Sequence, residues 1–213
     1  VDTAMVSRLE NSDAALAAVG YGGFILFTAQ AIILGLSTGV QACASRRQGQ
    51  DRGPETAYFL NAALLIILFV APLISFAVFV SSPAFFPFIN NDPNVIEEGV
   101  PYLQIRCIGI IFMSSNFAFR GFWNAVDLNQ VYLKTMVSMH ILNIFLNYLF
   151  IFGNFGAPEL GVEGAALASS VSLIFGSTIY FYQARKLAGQ FGFLRRLPNF
   201  EDILRLIQLS LPN

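Results

Sequence analysis

The sequence predicts an all-α fold: a bundle of helices that crosses a membrane several times. Three observations lead there. Apolar residues make up 55% of the chain and charged residues only 12%, where a soluble domain carries about 25% charged residues. Four stretches, 14–45, 56–91, 135–158 and 164–184, contain no Asp, Glu, Lys or Arg. Each exceeds the ~20 residues that cross a bilayer core of about 30 Å.

The elements follow in order. The tail of a first span runs to about Leu9. A second covers roughly 14–44, opened by Asn11, Ser12 and Asp13 as capping residues. A third covers about 57–80, bent or ended by Pro72 and Pro83. A fourth covers about 98–124, a fifth 131–153 and a sixth 163–184. Residues 200–213 read as an amphipathic lead-in to a seventh, interrupted by Pro212. The chain opens on Val1 and Asp2, without an initiator Met or a basic leader, and stops abruptly on "LRLIQLSLPN". It is therefore expected to be a piece of something longer.

The charges set an orientation. Arg46, Arg47, Arg52, Arg120, Lys134, Arg185, Lys186, Arg195, Arg196 and Arg205 fall in alternate loops, ten of the twelve basic residues. Glu10, Asp13, Asp92, Glu97, Glu98, Glu159 and Glu163 fall in the others, with Arg8 nearby. The positive-inside rule makes the basic side cytoplasmic. A net charge of −1 with no basic tract gives no reason to expect a nucleic-acid partner. Cys43 and Cys107, far apart in apolar surroundings, form neither a disulfide framework nor a metal motif.

The informative residues are polar groups inside apolar spans. "HILNIFLNYLFIFG" carries His140, Asn143 and Asn147, which at 100° per residue lie within about 60° of one another on a helix. Asp2 stands in the truncated first span. Ser169 stands on "GVEGAALASSVSLIFG", where small residues recur every fourth position, a spacing that lets helices approach closely. Carboxylate, amide carbonyls and hydroxyl are hard oxygen donors that together could hold a small cation or a proton. Each also has a plainer use. Asp2 would serve as a helix cap or interfacial acid, and the asparagines as interhelical hydrogen bonds worth about 0.6 kcal/mol each. Ser169 would serve as packing. Gln30 and Gln41 on the second span, with His140, are candidates for lining a cavity. Arg106 and Arg120 on the fourth span read as packing and snorkelling side chains.

"VDTAMVSRLENSDAALAAVG", "GLSTGVQACASRRQGQ", "FRGFWNAVD", "LNIFLNYLFIFGNFGAPELGVEGAALASSVS" and "LIQLSLP" resemble, in order and along the whole chain, the multidrug and toxic compound extrusion (MATE) family. The resemblance implies the six-helix N-terminal transmembrane lobe over 1–199, with its first helix truncated. Residues 200–213 would then start a C-terminal lobe that is missing here. It implies a cation-coupled antiporter, driven by Na⁺ or H⁺, that exports small cationic or amphipathic organic compounds through a bacterial inner membrane, without a cofactor. Asp2 matches the acidic residue of the family's first helix, Asn143 and Asn147 the two polar positions of the fifth, and Ser169 a position where many members have threonine. These four would form the coupling site, with Asp2, Asn143 and Asn147 as Na⁺ ligands; His140 has no counterpart. Asparagine at 147 and the "FGAPELG" loop resemble the NorM-like branch, whereas the DinF-like branch commonly has aspartate at that position. The turn "AVDLNQVYLK" departs from the more common "GDTKTP".

Two other classes are weighed. A lipid-linked-saccharide flippase of the same superfamily would favour a basic cavity for pyrophosphate, and only Arg106 and Arg120 lie within a span. An intramembrane enzyme would need a nucleophile and base or metal ligands at membrane depth. One His, two isolated Cys and no paired acids do not supply them.

Overall fold

The structure is a computed structural model that describes residues 2–9, 11–195 and 197–210, with Ile32 described by its backbone alone. Glu10, Arg196 and Pro212, which carry expectations above, lie outside the described residues. The helices are α1 (Asp2–Val6), α2 (Ser12–Gly49), α3 (Tyr58–Ile89), α4 (Pro93–Cys107), α5 (Gly109–Ala125), α6 (Asn129–Phe152), α7 (Gly161–Leu187) and α8 (Phe200–Ser210). No strand occurs among the described residues. Four helices are long and apolar enough to cross a membrane, and a fifth span results if α4 and α5 are taken together. The chain is an all-α, multi-pass membrane protein.

Three boundaries differ from expectation, each for a local reason. Helix α1 ends at Val6 rather than Leu9, because the N–H groups of Arg8 and Leu9 reach back only three residues, to Met5 and Val6. Helix α3 runs through Pro72 and Pro83 to Ile89. Pro83 cannot donate to the carbonyl of Phe79, and two side chains replace it: Ser82 Oγ donates at 2.9 Å and Gln104 Nε2 at 3.5 Å. Such side-chain repair is how membrane helices tolerate proline. The single span expected over 98–124 is instead two helices, bent by 51° at a break between Cys107 and Gly109. Ile108 N–H turns to Ile105 O, and the Cys107 carbonyl accepts Ser75 Oγ at 2.9 Å.

Two further ends extend beyond the expected spans, α4 starting at Pro93 and α2 running to Gly49. Pro93 opens α4 behind Asp92, whose side chain accepts the Asn94 N–H at 3.0 Å. Arg46 and Arg47 sit in the last turn of α2, where positive charge meets the negative end of the helix dipole.

The chain forms two compact units. The first comprises Val1–Ala29, Leu73–Ile110 and Ser138–Ile174. Val6, Ala15, Val19, Tyr102, Ile151 and Val162 pack in its core with Ala165 and Ala166. Helix α7 comes close to the end of α6: a methyl group at Gly164 would stand 2.5 Å from the Phe150 carbonyl oxygen. The second comprises Gln30–Pro72, Ile111–Val137 and Phe175–Asn213. Its core is aromatic, with Phe59, Phe119, Phe122, Trp123 and Tyr180 fully buried. Within it Gly121 lies so close to the Ser37 carbonyl that no side chain fits between them. Buried Asn61 brackets the turn after α7, donating to Gly192 O (3.3 Å) and accepting from Leu194 N–H (3.2 Å).

Candidate functional site

In the first unit, α6 contains no Gly or Pro between Asn129 and Phe152, so its 3.6-residue period holds throughout. Asn143 and Asn147, four residues apart, share one face and are both buried. The small residues Ala165, Ala166 and Ala168, all fully buried, bring α7 close and place Ser169 beside Asn143. Helix α1 adds Asp2 at its start, and buried Val6 on its last turn anchors it to the core.

These four residues form a closed ring of hydrogen bonds. Asn147 Nδ2 donates to Asp2 Oδ1 at 2.8 Å and to Asn143 Oδ1 at 3.3 Å. Ser169 Oγ donates to Asp2 Oδ2 at 2.6 Å and accepts from Asn143 Nδ2 at 3.2 Å. Both carboxylate oxygens therefore act as acceptors, the pattern that suits an ionised acid. One oxygen is left over. Asn147 Oδ1, in a residue with 0% exposure, has no hydrogen-bond partner. An unpaired buried acceptor costs about 1–3 kcal/mol, and here it belongs to a residue bonded to a carboxylate. Among the described residues no group of three or more His, Cys, Asp or Glu could hold a metal ion. A cation at this site would rest on one carboxylate together with amide and hydroxyl oxygens. That donor set fits a hard monovalent ion, and it also fits a proton.

The remaining expected residues fall elsewhere. His140 is exposed and does not join the ring, so the stripe read on α6 divides into two inward asparagines and one outward histidine. Gln41 is exposed, whereas Gln30 is 4% exposed with its Oε1 unpaired. Arg120 stacks over the rings of Phe117 and Tyr132. Half-buried Arg106 stands four residues from buried Tyr102 on α4, its Nε buried without a hydrogen-bond partner. Tyr102 was not anticipated. The signal available was its spacing of four from Arg106 on one apolar helix.

The first unit also holds a cavity of about 760 Å³ walled by α2 and α3, with Tyr21, Phe24, Ile25, Phe85 and Ile89 among its lining. Its size lies in the range of small-molecule pockets, about 300–1,000 Å³. Its walls are almost wholly apolar and aromatic.

Comparison with known proteins adds the following. Residues 1–149 match the MatE family profile. The chain is 27% identical over its whole length to a probable multidrug resistance protein NorM of Listeria monocytogenes, covering 47% of that protein. It is 28% identical over 99% of its length to the protein of the same description in Bacillus cereus, again covering 47%. The chain thus spans about half the length of the curated relatives it matches. Among solved structures, it superposes with a TM-score of 0.85 on an inward-facing multidrug resistance MATE family transporter of the MOP superfamily. That match has 22% identity and covers 98% of this chain and 47% of that one.

Proposed function

This chain belongs to the MatE family, and from that premise we propose that it is one lobe of a Na⁺-coupled antiporter that exports organic cations, with Asp2, Asn143, Asn147 and Ser169 as the coupling site. The observation that carries the reading is the ring around Asp2. Burial disfavours a charged carboxylate and a nearby cation favours it. Asn147 and Ser169 donate to both oxygens of Asp2, and an ion beside them would supply the positive charge. The unpaired Oδ1 of Asn147 is a further oxygen such an ion would use. Occupation changes what Asp2 can offer α6 and α7, and so biases the packing of α1 against both. A transporter that alternates between two states needs a differential of that kind.

The second support is the α2–α3 cavity. Its aromatic walls suit the apolar body of an amphipathic compound, and ring faces attract a positive charge. The exported class is therefore organic cations with aromatic or aliphatic bulk. The relatives described as multidrug resistance proteins agree with that class. By the positive-inside rule, the helix ends bearing Arg46, Arg47 and Arg185 face the cytoplasm of a bacterial cell.

The test uses the full-length protein in liposomes, with an imposed Na⁺ gradient in one arm and a pH gradient in the other. Efflux of an organic cation dye is expected in the Na⁺ arm, and is expected to be lost in Asp2→Asn. Efflux that survives that substitution with its ion dependence intact overturns the role of Asp2. Efflux driven by protons alone assigns Asp2 to proton carriage and reduces the asparagines to its hydrogen-bond partners.

A further inference from the structure

The second unit carries a basic cleft that the coupling reading does not use. It lies where α2 ends, α3 begins and α8 crosses. Arg46, Arg47 and Gln50 line it from α2, Phe59 from α3, and Arg205 and Leu209 from α8. Three arginines line it, and of these only Arg47 makes an ion pair among the described residues. Glu55 Oε2 lies 3.4 Å from Arg47 and 2.5 Å from Arg52, so one carboxylate serves two arginines. Arg46 and Arg205 make no ion pair among the described residues, and both charges bear on the thiol of Cys43 at the floor of the cleft. Asp202, also within reach of Cys43, caps α8 by accepting the Asn199 N–H at 3.3 Å.

The cleft is small. Its free space is about 10 Å³, room for one water-sized group. It can therefore admit a single oxygen of an anion, with the rest of the anion held at its mouth by the arginine forks. Guanidinium groups match phosphate oxygens in this way. What surrounds the mouth decides the source of that phosphate. One wall is the ring of Phe59, already under Arg47 at 5.7 Å. Another is Leu209 on α8, about half of it exposed. A free phosphate has no use for such a wall, whereas a lipid has an acyl chain to lay on it.

We propose that this cleft binds the headgroup phosphate of an anionic phospholipid of the cytoplasmic leaflet, clasped by Arg46 and Arg205 with its acyl chains along α8. The position agrees with the charge pattern, because the cleft sits at the basic ends of the spans. An anionic leaflet attracts basic residues near its surface. By bridging Arg46 on α2 to Arg205 on α8, the lipid ties the two helices together. That bridge adds to a packing in which Gly35 and Gly39 already let α8 approach α2 closely.

The experiment is native mass spectrometry of the full-length protein extracted from vesicles of equal parts phosphatidylglycerol and phosphatidylcholine. Retention of phosphatidylglycerol over phosphatidylcholine is expected, falling at least fivefold in the double variant Arg46→Gln/Arg205→Gln. It should persist in Arg185→Gln/Lys186→Gln, a control of equal charge change elsewhere on the basic side, and recover in Arg46→Lys/Arg205→Lys. Retention unchanged in Arg46→Gln/Arg205→Gln overturns the proposal. So does an equal loss in Arg185→Gln/Lys186→Gln, which means diffuse surface attraction. Millimolar inorganic phosphate should fail to displace the lipid or to raise the thermal midpoint in its absence. If phosphate alone does either, the cleft is a free-anion site and the lipid assignment is wrong. A double variant with a normal elution profile and helical circular dichroism separates lost binding from lost folding.

Discussion

Asn147 donates a 2.8 Å hydrogen bond to Asp2 across 145 residues of sequence, and in doing so leaves its own side-chain oxygen buried without a partner. The amide thus faces the carboxylate with its donor end. A cation taken up beside Asp2 would call for the other end.

Replacing that amide by a second acid tests the point. In Asn147→Asp, two carboxylates would stand at hydrogen-bonding distance, where both cannot be ionised together and one proton is retained. Transport by the full-length variant is expected to lose its Na⁺ dependence and to become dependent on the pH gradient. Dye efflux under separate Na⁺ and pH gradients reads the change.

Ser169→Ala removes the donor to Asp2 Oδ2 and the acceptor of Asn143 Nδ2 in one step. A hydrogen bond to a charged group contributes about 1.5–3 kcal/mol. The apparent Na⁺ affinity of transport should fall by roughly ten- to a hundredfold, while Ser169→Thr keeps the hydroxyl and stays near the parent. Rates measured over a range of Na⁺ concentrations distinguish the two variants.

Gly164→Leu should destabilise the protein. Even the first carbon of a side chain would meet the Phe150 carbonyl oxygen at 2.5 Å, and a leucine would force α7 off α6 at a cost of about 1–3 kcal/mol or more. A lower thermal midpoint for the solubilised protein is the expected result. Because Ser169 rides on the same helix, Na⁺ affinity should fall as well.

Asn61→Ala would strip the turn after α7 of two partners, leaving Gly192 O and Leu194 N–H without them. Each buried group left unsatisfied costs about 1–3 kcal/mol. Leu194 is also held at a positive φ of 55°, which a non-glycine residue adopts only under constraint. Faster amide exchange over residues 191–195 is expected, with the Asp2 region unchanged.

The apolar runs made most of the fold legible, because lipid leaves a helix as the natural way for such a stretch to satisfy its backbone. What the runs could not reveal depended on distant partners. Pro72 and Pro83 read as interruptions, yet α3 continues because Ser82 and Gln104 serve the carbonyl that Pro83 leaves free. The break after Cys107 carries no proline at the joint, and its carbonyl goes to Ser75 on another helix. At the site, Asn143 and Asn147 were legible from their spacing. Asp2 and Ser169 joined them only through family resemblance, since no periodicity links residue 2 to residue 169. His140 shared the stripe by angle but lies nearer the start of α6, where it is exposed.

The bend between α4 and α5 is also pinned by neighbouring helices. A rod interrupted at one residue would ordinarily flex there. This elbow is fastened on two sides: Ser75 of α3 grips the Cys107 carbonyl at 2.9 Å, and Ser170 of α7 grips the Ile105 carbonyl at 3.3 Å. The residue next to Ser170 is Ser169, whose hydroxyl faces Asp2. The same turn of α7 therefore holds both the elbow and the Asp2 ring.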